Sequence, residues 1–147
     1  MLIREILAEK GNYVVSKWPE HRLDDVIAQY AARNISSVVI TAHDGQPIGI
    51  VSDRDALRAL ARHGEKAFRL AVTEVMQQPP PICRPEDSVT SVLHTMTIKR
   101  IRHVVVVDGA RLAGIVSIGD LVKAKLRDAD LESRVLRERA LSRLAAE

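Results

Sequence analysis

The sequence predicts an α/β (α+β) fold: two small sheets packed with helices, built from two copies of one unit, with a helix at the C-terminal end. Three observations predict it. The first is an internal repeat at a spacing of about 65 residues. Pro47–Leu57 (PIGIVSDRDAL) matches Leu112–Val122 (LAGIVSIGDLV), and both contain Gly-Ile-Val-Ser-x-x-Asp. Upstream, Asn34–Ile40 matches Arg100–Val106, and Pro19, Leu23 and Val26 match Pro85, Val89 and Val92. Three matching segments in one order indicate duplication. The second observation is that apolar spacing switches between strand and helix periods inside each copy, which indicates layered sheets and helices. The third is a continuous helical pattern after Asp120, with apolar residues at Leu121, Leu126, Leu131, Val135, Leu136, Leu141 and Leu144.

The elements follow in order. Residues 1–12 open with MLIREILAEKG, an amphipathic segment carrying Arg4, Glu5, Glu9 and Lys10. It lacks the apolar block and small-residue cleavage site of a secretion signal. The first copy spans 13–64. Its short first strand is expected at Tyr13–Val15. A helix follows, with Leu23, Val26, Ile27, Tyr30 and Ala31 on one face. Two β-branched strands come next, joined by a turn containing Asp44-Gly45, and a last helix starts near Asp53. Gly64 ends that helix, and residues 65–80 form a linker with a short helical turn at Val72–Met76 and an extended connector, Gln77–Pro81, that runs into the second copy. The second copy, 81–127, repeats the plan. It has a strand at Pro81–Cys83, a helix carrying Val89, Val92, Leu93 and Met96 behind a Ser88 cap, strands around Asp108-Gly109, and a helix from Ile118. Residues 128–147 continue that helix. Their apolar spacing does not sustain a heptad, so they suit a cap or a subunit contact better than a long coiled coil.

Composition narrows the function classes. The chain has 147 residues, enough for a real core, and is 46% apolar and 28% charged. No run of about 18 apolar residues occurs, so no membrane span is expected. One cysteine, Cys83, cannot form an internal disulfide, and a cytoplasmic protein is the expectation. The net charge is +3, the basic residues are interleaved with acids, and aromatics are 3%. A single-strand nucleic-acid binder needs aromatic platforms in a basic groove, so nucleic acid is not the expected partner.

The repeated Ser-x-x-Asp segments, Ser52–Asp55 and Ser117–Asp120, are the sharpest chemical feature. Serine before a helix with an acid three residues on is a capping pattern. The same geometry suits a nucleotide. A helix start offers free N–H groups to phosphate, and an aspartate can accept from two vicinal ribose hydroxyls. Gly49 and Gly114 leave room for close approach to the backbone just before the turn. Duplication does not separate these alternatives. Arg100-Ile101-Arg102-His103, opposite Asn34-Ile35-Ser36-Ser37 in the first copy, is either a solvated strand start or a phosphate clamp. Ser36 and Ser37 leave room for a flat ring. No P-loop, nucleophile elbow or metal-ligand spacing appears, so no catalytic role is expected.

These residues resemble a pair of cystathionine-β-synthase-type (CBS) motifs, the tandem unit called a Bateman module. The resemblance is carried by Gly49–Asp55, Gly114–Asp120, Thr73-Glu74-Val75-Met76 and Arg100–Val104, and it runs from about Leu7 to Leu126. It implies two motifs packed through their sheets around a pseudo-twofold axis, leaving two clefts for adenosine ligands: AMP, ADP, ATP or NAD(H), with S-adenosylmethionine less favoured. It implies a regulatory homodimer, acting with or without a regulated protein partner, rather than an enzyme. Carried over by position, Asp120 with Ser117 and Gly119 serves one cleft, with Ile35, Ser36 and Ser37 as its adenine wall and Arg102 and His103 toward its phosphate. Asp55 with Ser52 and Arg54 serves the other, nearest Ile101, Arg102 and His103. The phosphate side of the Asp55 cleft has neutral Ser36 and Ser37, offset in part by Arg54, so unequal sites are expected, with phosphorylated ligand tighter at Asp120. The family often has a proline in the second strand, where this chain has Val39 and Val105. The rival expectation is an interaction module with empty clefts, in which Ser-x-x-Asp only caps helices.

Overall fold

The computed structural model describes residues 1–146. In chain order the elements are α1 (Ile3–Lys10), β1 (Ser16–Lys17), α2 (Leu23–Arg33), β2 (Ser37–Thr41), β3 (Pro47–Ser52) and α3 (Asp53–His63). Two 3₁₀ turns, Gly64–Arg69 and Val72–Glu74, lead to β4 (Ile82–Cys83), α4 (Val89–Lys99), β5 (His103–Asp108), β6 (Arg111–Ser117) and α5 (Ile118–Ala146). Each copy holds a three-stranded mixed sheet, β1-β2-β3 or β4-β5-β6. The first pair in each is parallel, bridged by a helix, and the second pair is an antiparallel hairpin. The predicted α+β architecture with a C-terminal helix is therefore the observed one.

One strand lies elsewhere than its apolar residues suggest. The ladder of β1 pairs Ser16 with Val39 and Lys17 with Ile40, not Tyr13–Val15. Val15 contributes only its carbonyl, which accepts from the Val39 N–H at 3.1 Å. Val14 instead packs between the sheets and Val15 against the first core. The apolar run thus marks packing ahead of the strand rather than the strand itself.

Each copy has its own core. In the first, Leu23, Val26, Val38, Ile40 and Val51 pack with Ala67 and Val72 of the 3₁₀ turns. In the second, Val89, Val92, Met96, Val104, Val106, Val116 and Leu121 pack with Ile3 and Ile6 of α1. Between the copies lies a third cluster, Val39, Ile50, Val105 and Val107, with Leu112 and Ile115 beside it. Val39 and Val105 are repeat equivalents, as are Ile50 and Ile115. The two sheets therefore meet through the same face of each copy.

The N-terminal segment and the linker occupy equivalent places on opposite copies, which the sequence did not reveal. The Val89 N–H donates to Met1 O and the Ile3 N–H to Asp87 O, each at 2.9 Å. In the first copy, the Leu23 N–H donates to Leu70 O and the Val72 N–H to His21 O, again at 2.9 Å. A Cβ on Gly114 would meet the Leu7 side chain, and one on Gly49 would meet Met76. So α1 completes the second motif, and the linker completes the first.

Candidate functional site

The two Ser-x-x-Asp segments do form helix caps. At α3, Asp55 Oδ2 accepts from the Ser52 N–H at 2.8 Å and Ser52 Oγ accepts from the Asp55 N–H at 3.3 Å. At α5, Asp120 Oδ2 accepts from the Ser117 N–H at 2.8 Å and Ser117 Oγ accepts from the Asp120 N–H at 3.2 Å. The two aspartates then differ. Asp55 is 6% exposed, and its other oxygen is held by Arg58 at 3.2 Å and by Gln77 Nε2 at 3.4 Å. Asp120 is half-buried, and its Oδ2 also accepts from Lys10 Nζ at 2.8 Å. Burial pushes the Asp120 carboxyl up, but the Lys10 ammonium and the Ser117 N–H outweigh that and hold it below the usual carboxylate range.

Beside α5 opens a cleft of about 570 Å³, within the ordinary range for a small-molecule site. Its wall draws on both copies. Ile35 and Ser36 lie just ahead of β2 and Ser37 begins it, and His103, Ile115 and Ser117 come from β5 and β6. Lys10, Tyr13, Val14, Val15, Arg33 and Asn34 complete it. The turn after α2 can enter this space because Asn34 takes the left-handed conformation, φ 53°, which asparagine tolerates better than most residues. Asp120 is not in the wall itself but touches Lys10, which is. Gly119 follows Ser117 on the first turn of α5, where an added Cβ would sit 3.6 Å from Ser117 Oγ.

A second cleft lies on the α3 side and holds only about 50 Å³. Ser52, Arg54, Arg58 and Gln77 line it from one copy, and Ile101, Arg102 and His103 from the other. Arg102, expected at both clefts, lines only this smaller one, where it pairs with Asp53 at 2.5 Å, and it does not reach the wall of the larger cleft. Asp53 is the first residue of α3, so its carboxylate sits where the helix dipole favours it and draws the guanidinium across the interface. Positive charge is thus concentrated at the cleft with less room.

His103 lines both clefts, and its Nε2 shares a 2.9 Å hydrogen bond with Ser36 Oγ across the copies. Burial, reinforced by the Arg102 guanidinium, holds its imidazole below the usual value, against a smaller opposing pull from Asp53. Lys10 adds to the lowering and Asp120 opposes it. The folded chain therefore keeps His103 neutral where the unfolded chain would already protonate it. The stability this contributes is present above the ordinary imidazole value of about 6.5 and is lost as pH falls through the lower folded value. Urea midpoints of the wild type should drop between pH 7.5 and 5.5, and His103→Gln should flatten that drop. Equal slopes in the two proteins would remove His103 as the cause.

Sequence reasoning missed the apolar wall residues Val14, Val15 and Ile115 and, of more chemical weight, Lys10, Tyr13 and Arg33. The Arg33 guanidinium lies 5.7 Å from the centre of the Tyr13 ring. Lys10 sat in a segment assigned to neither copy, and only a contact spanning 110 positions reveals its role.

A sequence profile described as CBS domain matches residues 11–62 and 72–127. Among solved structures, a CBS-domain containing protein from Agrobacterium tumefaciens superimposes with a TM-score of 0.81 at 34% identity, covering 84% of this chain and 92% of its own. A CBS domain protein from Pyrobaculum aerophilum, complexed with AMP, gives 0.73 at 28% identity over 82% of this chain and 89% of its own. A mitochondrial CBS domain-containing protein of Arabidopsis thaliana is 26% identical over 134 residues, 86% of this chain and 65% of that protein. The chain spans about three fifths of the length of the first curated relatives it matches. With two profile matches in tandem, one on each structural repeat, the chain belongs to the CBS domain family as a CBS pair.

Proposed function

We propose that this CBS pair is a regulatory module that binds one adenosine ligand in the larger cleft and passes its occupancy to a second copy or a partner protein. The observation that carries this reading is the cleft itself. A space of about 570 Å³ is walled by both copies, so a ligand there touches both and can favour one arrangement of them over another. The small polar residues Ser36 and Ser37 leave room for a flat base beside Ile35. Asp120 stands next to the wall as an acceptor for ribose hydroxyls. Ser52, Arg54, Ile101 and Arg102 line the smaller cleft, whose volume of about 50 Å³ does not suit a nucleoside, and Asp55 lies buried behind it on Arg58 and Gln77. The AMP bound to the Pyrobaculum aerophilum protein supports the ligand class. The outer part of α5, with Leu131, Leu136, Leu141 and Leu144 all more than 60% exposed, supports a copy or partner as the reader.

Isothermal titration with AMP, ATP, NADH and S-adenosylmethionine tests it. Micromolar binding of one of the four, weakened at least tenfold in Asp120→Ala with the far-UV spectrum unchanged, is the expected outcome. No heat with any of them would overturn the proposal and favour an empty interaction module in which the two aspartates only cap helices.

A further inference from the structure

The two copies are least alike where their completing segments touch the capping aspartates. In the first copy, the Gln77 N–H donates to Ile50 O at 2.9 Å, and the Gln77 side-chain amide reaches Asp55. In the second, Lys10 Nζ does both jobs, donating to Ile115 O at 3.0 Å and to Asp120 at 2.8 Å. Ile50 and Ile115 are repeat equivalents, as are Asp55 and Asp120. A neutral amide in one copy is therefore an ammonium in the other, and the ammonium lies on the larger cleft.

That ammonium is held in place. Ile3 and Ile6 anchor α1 in the core at 0% and 5% exposure, and the Arg127–Glu9 ion pair ties α1 to α5. Lys10 itself is only partly exposed. A lysine ammonium has three N–H donors. Two are taken by Asp120 and Ile115, which leaves one for whatever occupies the cleft. Among the described residues the wall contains the cations Lys10 and Arg33 and no carboxylate. Lys10 and Asp120 offset one another, so the excess positive charge of the wall is that of Arg33, and Lys10 adds its free N–H. An anionic ligand gains from this field, and a cationic one does not.

We propose that Lys10 is the specificity residue of the larger cleft, selecting an adenosine ligand that carries a 5′-phosphate over one whose 5′ substituent is a thioether or a sulfonium. This rests on the adenosine-ligand reading above. The fixed ammonium donates its remaining N–H to a phosphate oxygen while Asp120 stays within reach of the ribose.

The test titrates wild type, Lys10→Met and Lys10→Arg with AMP and with 5′-methylthioadenosine, which has the same nucleoside and no phosphate. Lys10→Met should weaken AMP about tenfold or more and leave the thioether within about twofold. Lys10→Arg keeps the charge and should hold AMP within about threefold, which separates lost charge from lost structure. Equal weakening of both ligands in Lys10→Met, unchanged AMP affinity, or a wild type that prefers the thioether would each overturn the proposal. Failure of the underlying reading looks different: the wild type would bind neither compound.

Discussion

Leu121→Ala should lower the unfolding free energy by about 2–5 kcal/mol, while Leu136→Ala on the same helix should change it by no more than about 0.5 kcal/mol. Leu121 is fully buried one turn into α5, among Ile3, Ile6, Val89, Met96 and Val116. Truncation there removes its transfer energy and leaves a cavity bordered by α1, α4 and β6, whose backbones are fixed by their own hydrogen bonds and cannot close on it. Leu136 is 65% exposed, so its truncation removes little packing. Alanine is at least as good a helix former as leucine, so helix propensity does not explain the contrast. Urea denaturation of both variants checks it. A loss at Leu136 as large as at Leu121 would mean that the outer half of α5 is covered in solution.

Gly49→Val should destabilise by about 1–3 kcal/mol through overpacking, with part of the loss relieved by Met76→Ala. Gly49 lies in β3, where its backbone runs under the linker. A Cβ there would overlap Met76 Sδ, come within 2.8 Å of Met76 Cγ and stand 3.1 Å from the Gln77 carbonyl oxygen. The methionine chain can bend away, but the carbonyl oxygen belongs to a main chain bonded to Ile50 and cannot. The double variant should therefore fall short of the summed single losses without returning to wild type. Strict additivity would place Met76 out of contact with the new side chain. At Gly114, the equivalent glycine, the obstacles within reach are all atoms of the Leu7 side chain, the closest at 2.7 Å. Gly114→Val should be the milder change.

The repeat makes most of the fold legible in the sequence. Runs of β-branched residues around Asp-Gly turns placed β2, β3, β5 and β6, and the helix-spaced residues of α2 and α4 face the two cores except Ala31, which is exposed. Two-residue strands such as β1 are too short to alternate, so the flanking valines attracted the assignment instead. In the site, Ile35, Ser36, Ser37, His103 and Ser117 could be found because they sit inside the repeated segments, and the structure brings them to one cavity. Arg102 could not be oriented, because its direction is set by Asp53 on the opposite copy and a motif carries no information about cross-copy ion pairs. Lys10 was invisible for a related reason. Its partners lie 105 and 110 positions away, and α1 reads as a free amphipathic helix until the second motif is there to receive it.

That placement of α1 sets an order of assembly during synthesis. The first motif can finish as soon as its own linker has emerged, since Ala67 and Val72 follow it directly. Residues 3–10 are translated before the second motif, and the surface that receives them is complete only when Leu121 and Ala124 have been made. At ordinary elongation rates of about 5–20 residues per second, that delay is on the order of ten seconds. Throughout it Ile3, Ile6 and Leu7 are an unclaimed apolar stripe on a half-built chain, available to chaperones or to the second motif of a neighbouring nascent chain. Exchange of α1 between two such chains would satisfy the same contacts, so crowded polysomes are where a dimer swapped through α1 should first be sought.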